Sequence, residues 1–112
     1  MKIAIIGSRN LTVSNIGEYI PESCTEIVTG GAKGIDTYAA EYAQKLNLKL
    51  TLFLPEYHKY GKVAPLIRNK LIVDYSDLVI ALWDGSSSGT KSVISYCEKV
   101  GKKITVYLLK KR

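Results

Sequence analysis

Four short stretches gather the residues that could handle an anion: "GSRN" (7–10), "GGAKGID" (30–36), "PEYHKYGKVAP" (55–65) and "DGSSSGTKS" (84–92). Three are rich in glycine and hydroxyl groups, and all four carry a cation. In "GGAKGID", Gly30, Gly31 and Gly34 permit positive φ and let backbone N–H groups, that of Ala32 included, approach an anion closely. Lys33 adds a counter-charge, and a helix after the loop would aim its positive end at the same spot. The same glycines also fit a tight strand-to-helix turn with Asp36 at the helix start. Both readings stay open on this stretch alone.

"DGSSSGTKS" offers a second cradle. Ser86, Ser87, Ser88 and Thr90 bring hydroxyls, and Gly89 and Thr90 begin a helix, so an anion site at the helix start is expected. As a Walker A loop it has Lys91 and Ser92 in place but Thr90 where a glycine is needed, which argues against an ATPase. The dinucleotide fingerprint G-x-G-x-x-G fits neither 7–12 nor 30–36, which disfavours NAD. Arg9 follows Gly7 and Ser8 directly, and its planar fork suits phosphate or carboxylate. Arg68 and Asn69 could reach the same edge or lie on a solvated helix face. "YHKYGK" (57–62) alternates aromatic and basic residues, as a base-stacking flap or an ordinary exposed loop would.

Groups for catalysis are sparse. His58 has no paired nucleophile, and the serines at 86–88 have no recognisable base. Asp36, Glu56 and Asp84 are the carboxylates expected near these loops, and Asp84 could equally cap the turn at 84–88. Two distant cysteines, Cys24 and Cys97, and a single histidine make a zinc site improbable, so no metal and no cofactor are expected. Both thiols are read as reduced and structural.

The elements that must position these loops are visible as apolar runs. "KIAIIG" (2–7), "EIVTGG" (26–31), "KLTLFLP" (49–55), "LVIALWDG" (78–85) and "KITVYLL" (103–109) are nearly continuous rather than alternating, as in strands buried on both faces of a parallel sheet. Helical spacing links Ile35, Ala39, Tyr42, Ala43 and Leu46 in 34–47. It also links Ile67, Leu71 and Tyr75 in 64–76, and Val93, Ile94, Cys97 and Val100 in 90–100, with Gly101 as a stop. The segment 13–21 reads as a short helix capped by Ser14 or Asn15 and ended by Pro21. The alternation predicts one α/β domain over residues 1–112: a Rossmann-like, doubly wound parallel sheet of about five strands, order 3-2-1-4-5, with helices on both faces. Ligands of such sheets bind at the C-terminal strand ends, where the four loops converge.

Bulk properties agree. At 112 residues with 46% hydrophobic and 23% charged residues, the chain is that of an ordinary globular domain. It is long enough to bury roughly 65% of its unfolded surface. No leader and no run of membrane-spanning length is seen, so no membrane partner and a cytoplasmic address are expected. The net charge of +6 points to an anionic partner, although Lys110, Lys111 and Arg112 supply half of it.

"GSR", "GGAKGID", "APLIRN" and "GSSSGT", in this order, resemble the SLOG superfamily of Rossmann-like proteins. That superfamily includes the DNA-processing protein DprA, the LOG phosphoribohydrolases and small YpsA/YspA-type proteins. "GGAKGID" is similar to the S-G-x-A-R-G-I-D element of DprA, and "YHKYGKVAPLIRN" to the YspA-type proteins. The resemblance spans nearly the whole chain. It implies a nucleotide or nucleotide-derived ligand held by Gly7 to Arg9, Gly30 to Asp36, Arg68, Asn69 and Gly85 to Thr90, and a homodimer or higher homo-oligomer. One position departs from the pattern. The LOG hydrolases carry P-G-G-x-G-T-x-x-E, whereas here Ser86 and Ser87 replace the two glycines and Val93 stands in the place of the glutamate. A valine is neither acid nor base, so whether any reaction is catalysed stays open.

Three functions compete on these residues. One is a nucleotide-binding sensor or module. Another is a nucleoside-monophosphate N-glycoside hydrolase using Asp36, Glu56 or Asp84. The third is a single-stranded DNA binder like DprA.

Overall fold

The structure, a computed structural model, describes residues 1–110; Lys111 and Arg112 of the basic tail lie outside the described residues. Five strands, β1 (Lys2–Gly7), β2 (Glu26–Thr29), β3 (Lys49–Leu52), β4 (Leu78–Trp83) and β5 (Ile104–Leu108), form one all-parallel sheet in the order β3-β2-β1-β4-β5. The expected fold class and strand order are what the structure shows. Three helices of two turns or more connect the strands: α1 (Ile35–Lys45), α3 (Ala64–Tyr75) and α4 (Ser88–Val100). A single turn, α2 (Tyr57–Tyr60), runs through a 3-10 turn at Gly61–Val63 into α3. The segment 13–21 is shorter than expected, a 3-10 turn at Ile16–Tyr19, and Asn15 before it makes no side-chain cap.

The pleat of the central strands divides the core into two layers. Ile3, Ile5, Ile27, Ile80 and Leu82 face Ile35, Ala39 and Ala43 of α1 and Ile16 of the 3-10 turn. On the other side Ala4, Ile6, Val28, Val79 and Ala81 face Ile72 and Val73 of α3 and Val93 and Cys97 of α4. Gly101 ends α4 in the left-handed region at φ 73°, as its position predicts.

Burial on both faces holds for β1, β2 and β4 but not for the edge strands. Most of β3 and β5 is exposed or half-exposed, with Leu52 at 47% and Leu108 at 70%. Each has a neighbour on one side alone, and the helices pack over the middle of the sheet. The stripe on α3 also differs. Ala64, Ile72 and Val73 are buried, whereas Leu71 is exposed and Ile67 half-buried. Apolar residues surround this helix on nearly every side, so periodicity alone cannot orient it. Leu46 of the α1 stripe and Val100 of the α4 stripe are likewise exposed, lying at the ends of their helices.

The chain moves outward from β1 to β2 and β3, then crosses to β4 on the other side. The C-terminal ends of β1 and β4 are therefore the switch point, where loops part and leave a crevice.

Candidate functional site

A cavity of about 600 Å³ occupies that crevice. From the β1 loop it is lined by Gly7, Ser8, Arg9 and Asn10, and from the β2 loop by Gly30, Ala32 and Asp36. Helix α3 contributes Pro65, Leu66, Arg68, Asn69 and Ile72. The start of α4 adds Ser87, Ser88, Gly89, Thr90 and Val93. Twelve of the seventeen residues expected to bind ligand thus meet at one cavity.

The α4 wall is organised by hydrogen bonds from β1. Ser8, 1% exposed, takes the Asp84 N–H on its Oγ at 3.1 Å and lies 2.7 Å from Ser87 Oγ. Asp84 Oδ1 accepts the N–H groups of Ser86 (2.9 Å) and Ser87 (2.8 Å) and the Ser86 hydroxyl (3.3 Å), so this carboxylate caps the turn. Trp83 Nε1 donates to the Ser87 carbonyl at 3.1 Å, pinning the backbone at the helix start. Ser87 is the N-cap residue of α4, yet its side chain makes no cap hydrogen bond, because the hydroxyl is turned to Ser8. The first-turn N–H groups of α4 are therefore left without a side-chain cap, facing the cavity with the positive end of a thirteen-residue helix.

The opposite wall is built around Arg68. Its Nη1 donates to the Gly30 carbonyl at 2.8 Å and its Nε to Asn69 Oδ1 at 2.9 Å. A Cβ on Gly30 would sit 2.5 Å from that Nη1, so only glycine lets the guanidinium lie against this backbone. Gly34, at φ 79°, is constrained differently: a Cβ there would fall 2.7 Å from the Arg9 carbonyl oxygen. The two loops cross at this point, and Arg9 is placed on the cavity by the approach. These glycines serve close packing, of the β2 loop against Arg68 of α3 at Gly30 and against the β1 loop at Gly34. Gly31, Lys33 and Gly34 are not part of the cavity lining, and neither are Gly85 and Ser86.

Asp36, in the first turn of α1, is 6% exposed and forms part of the cavity wall. Its Oδ2 accepts the Ala32 N–H at 3.1 Å. Burial pushes the carboxyl above its ordinary pKa, opposed by the Ala32 N–H, the neighbouring Thr29 hydroxyl, the Arg68 charge and the Gly30 N–H. The Thr29 hydroxyl is fully buried and adjoins this carboxyl without reaching good hydrogen-bond geometry with any partner. Burial also pulls the Arg68 guanidinium below its usual pKa, against the attraction of Asp36. Both shifts disfavour charge, so desolvation outweighs the attraction between them. Among the described residues the one ion pair within 4 Å is Lys49–Glu26, at 3.8 Å on the far edge of the sheet, so Arg68 and Asp36 face each other without contact.

The other two candidate carboxylates lie elsewhere. Glu56 is exposed before α2, off the cavity, and Asp84 is engaged in its turn. None of residues 57–62 lines the cavity, although Tyr57 is close enough to Arg68 to act on its charge. Asn10, Pro65, Leu66 and Ile72 were not anticipated. For Pro65 and Ile72 a signal existed: positions 65, 68, 69 and 72 share one helical face. Val93, noted for standing in a glutamate's place, is 2% exposed and closes the cavity behind Thr90.

Among the described residues no helix is long and apolar enough to cross a membrane. No protein-family model matches the chain, and neither a curated protein nor a solved structure does.

Proposed function

We propose that the chain binds a nucleotide or nucleotide-derived ligand, with the phosphate at the start of α4 and the remainder toward Arg68 and Asp36. The observation that carries this reading is the Ser8–Ser87 hydrogen bond of 2.7 Å, which takes the cap away from α4 and leaves backbone donors facing the cavity. Arg9 and Arg68 stand on the same cavity and add positive charge. A volume of about 600 Å³ is in the range of small-molecule sites and suits a mononucleotide better than a polymer. The resemblance to SLOG proteins supports the same ligand class. The role is that of a sensor or binding module.

A panel of nucleoside mono-, di- and triphosphates tests this by thermal shift. At least one should raise the melting temperature, and Arg9→Ala should remove most of the rise. Silence across the whole panel contradicts the proposal.

A second reading rests on Asp36, the one carboxylate of the three candidates on the cavity: hydrolysis of the N-glycosidic bond of a nucleoside monophosphate. Prolonged incubation with nucleoside monophosphates would then release free base, and Asp36→Asn would stop it. Self-association, which the resemblance also carries, finds an apolar strip beside the open edge of β3, where Leu50, Leu52 and Leu54 are exposed. Sedimentation of wild type against Leu52→Lys reads it directly.

A further inference from the structure

Following each proton sorts the cavity's polar groups into donors and acceptors. Ser8 Oγ already accepts the Asp84 N–H, and as a buried hydroxyl it must place its own proton on an acceptor. The acceptor 2.7 Å away is Ser87 Oγ. Ser87 is thereby left with a free proton and presents a donor. Asn69 receives the Arg68 Nε–H on its oxygen, which fixes the amide and leaves its NH₂ to donate. Arg68 has used Nε and one Nη1 proton, and its remaining N–H groups are donors. The Gly30 carbonyl is occupied by Arg68. Asn10, Ser88 and Thr90 can turn either way.

Against this set stands one anionic side chain. Among the described residues lining the cavity, Asp36 is the only carboxylate, and it lies outside ion-pair contact with Arg68. Holding a carboxylate buried without an ion partner is unfavourable, as its raised pKa records. The Ala32 N–H takes one of its oxygens and the Gly30 N–H and Thr29 hydroxyl adjoin it, while an ionised carboxylate has about four acceptor positions. The α4 start and the β2–α1 loop flank β1 on either side, so the two poles are separated by about two strand spacings, roughly 10 Å before side chains reach inward.

We infer that Asp36 receives the vicinal hydroxyls of a ribose, so that the ligand is a ribose 5′-phosphate ester and its deoxy counterpart is rejected; this rests on the nucleotide reading above. A carboxylate accepts two neighbouring O–H groups at once, and the donor-rich α4 pole takes the phosphate. A site built to bond a hydroxyl discriminates strongly against a ligand that lacks it, because the buried acceptor is then left unmatched.

The test is isothermal titration of the full chain with inorganic phosphate, ribose 5-phosphate, 2-deoxyribose 5-phosphate, AMP and dAMP. In the wild type, each ribose compound should bind at least about tenfold more tightly than its deoxy partner. Asp36→Asn and Asp36→Ala, checked for folding by circular dichroism, should shrink that preference to about threefold or less. Equal wild-type binding of AMP and dAMP overturns the inference while leaving the nucleotide reading standing, and it needs no variant to fold. A ribose preference that persists in both variants overturns the assignment to Asp36. Failure of all five compounds to bind removes the nucleotide reading and the inference with it.

Discussion

Ser8 and Ser87 lie 79 positions apart in the chain, and their hydroxyl oxygens are 2.7 Å apart in the fold. The contact joins the end of β1 to the start of α4 and turns the Ser87 hydroxyl away from its own helix. Ser8→Ala leaves the Asp84 N–H without its acceptor, a loss of about 1–3 kcal/mol. It also frees Ser87 to cap its own helix and compete with an incoming phosphate. Chemical denaturation should show the loss of stability, and titration should show nucleotide affinity falling by about fivefold or more. Unchanged affinity in a folded Ser8→Ala protein would separate the hydrogen bond from the site.

Gly34 is where the β1 and β2 loops cross. Its φ is 79°, and a methyl group added there would lie 2.7 Å from the Arg9 carbonyl oxygen, which leaves no room for alanine. Gly34→Ala should destabilise the fold by about 2 kcal/mol, combining left-handed strain with the displaced loop. Because Arg9 is carried by that loop, ligand affinity should fall in parallel. Gly61→Ala, at φ 59° with open space around it, should show the strain alone.

Arg68 ties α3 to the β2 loop through a fork that lysine cannot reproduce. Arg68→Lys loses the bonds to the Gly30 carbonyl and Asn69, a change of about 1–3 kcal/mol for a half-buried charged donor. The melting temperature should drop by roughly 4–8 °C for each kcal/mol. The Asn69 amide also loses its fixed orientation, so affinity should fall even at temperatures where the variant is fully folded.

Asp36 and Glu26 should move stability in opposite directions with pH. The folded-state pKa of Asp36 is raised, chiefly by burial, so its ionisation opposes folding above that pKa and ceases to matter below the unfolded value of about 3.9. Asp36→Asn should therefore be more stable than wild type at pH 7, with the advantage fading toward pH 4. Burial works to raise Glu26 too, but hydrogen bonds from Tyr75 and Thr51 and the charges of Lys49 and Lys2 bring it below its ordinary value. Its contribution is present above the unfolded pKa and is lost as pH falls through the lower folded one. Tyr75→Phe should thus lower stability at pH 7 by about 1–2 kcal/mol and show a smaller further loss on acidification than wild type. Urea melts of the three proteins at pH 7 and pH 4 distinguish the two signs.

The sheet was legible because β1, β2 and β4 are continuous apolar runs separated by helical spacing, the pattern characteristic of a parallel sheet. The same pattern misjudged β3 and β5, since an apolar run does not say whether a strand has one neighbour or two. Leu71 and Ile72 are adjacent and alike, and nothing local marks Ile72 as the buried one. At the site, residue types in the loops after β1 and β4 and in the first turns of α3 were enough to bring together Ser8, Arg9, Arg68, Asn69 and Thr90. Their partners were hidden. That Arg68 would bond the Gly30 carbonyl, or that Ser87 would turn away from its own helix, depends on contacts between residues 38 and 79 positions apart. The glycines of "GGAKGID" invited an anion reading, yet at Gly30 and Gly34 the space they leave is filled by protein.

Under the proposed function a phosphate ester sits at the uncapped start of α4. Amide chemical shifts followed during titration with AMP test it most directly. Saturable shifts are expected, concentrated at Ser88, Gly89 and Thr90, with smaller ones at Gly7 and Gly30 and none on β5. Saturable binding that leaves the Gly89 and Thr90 amides unmoved would contradict it.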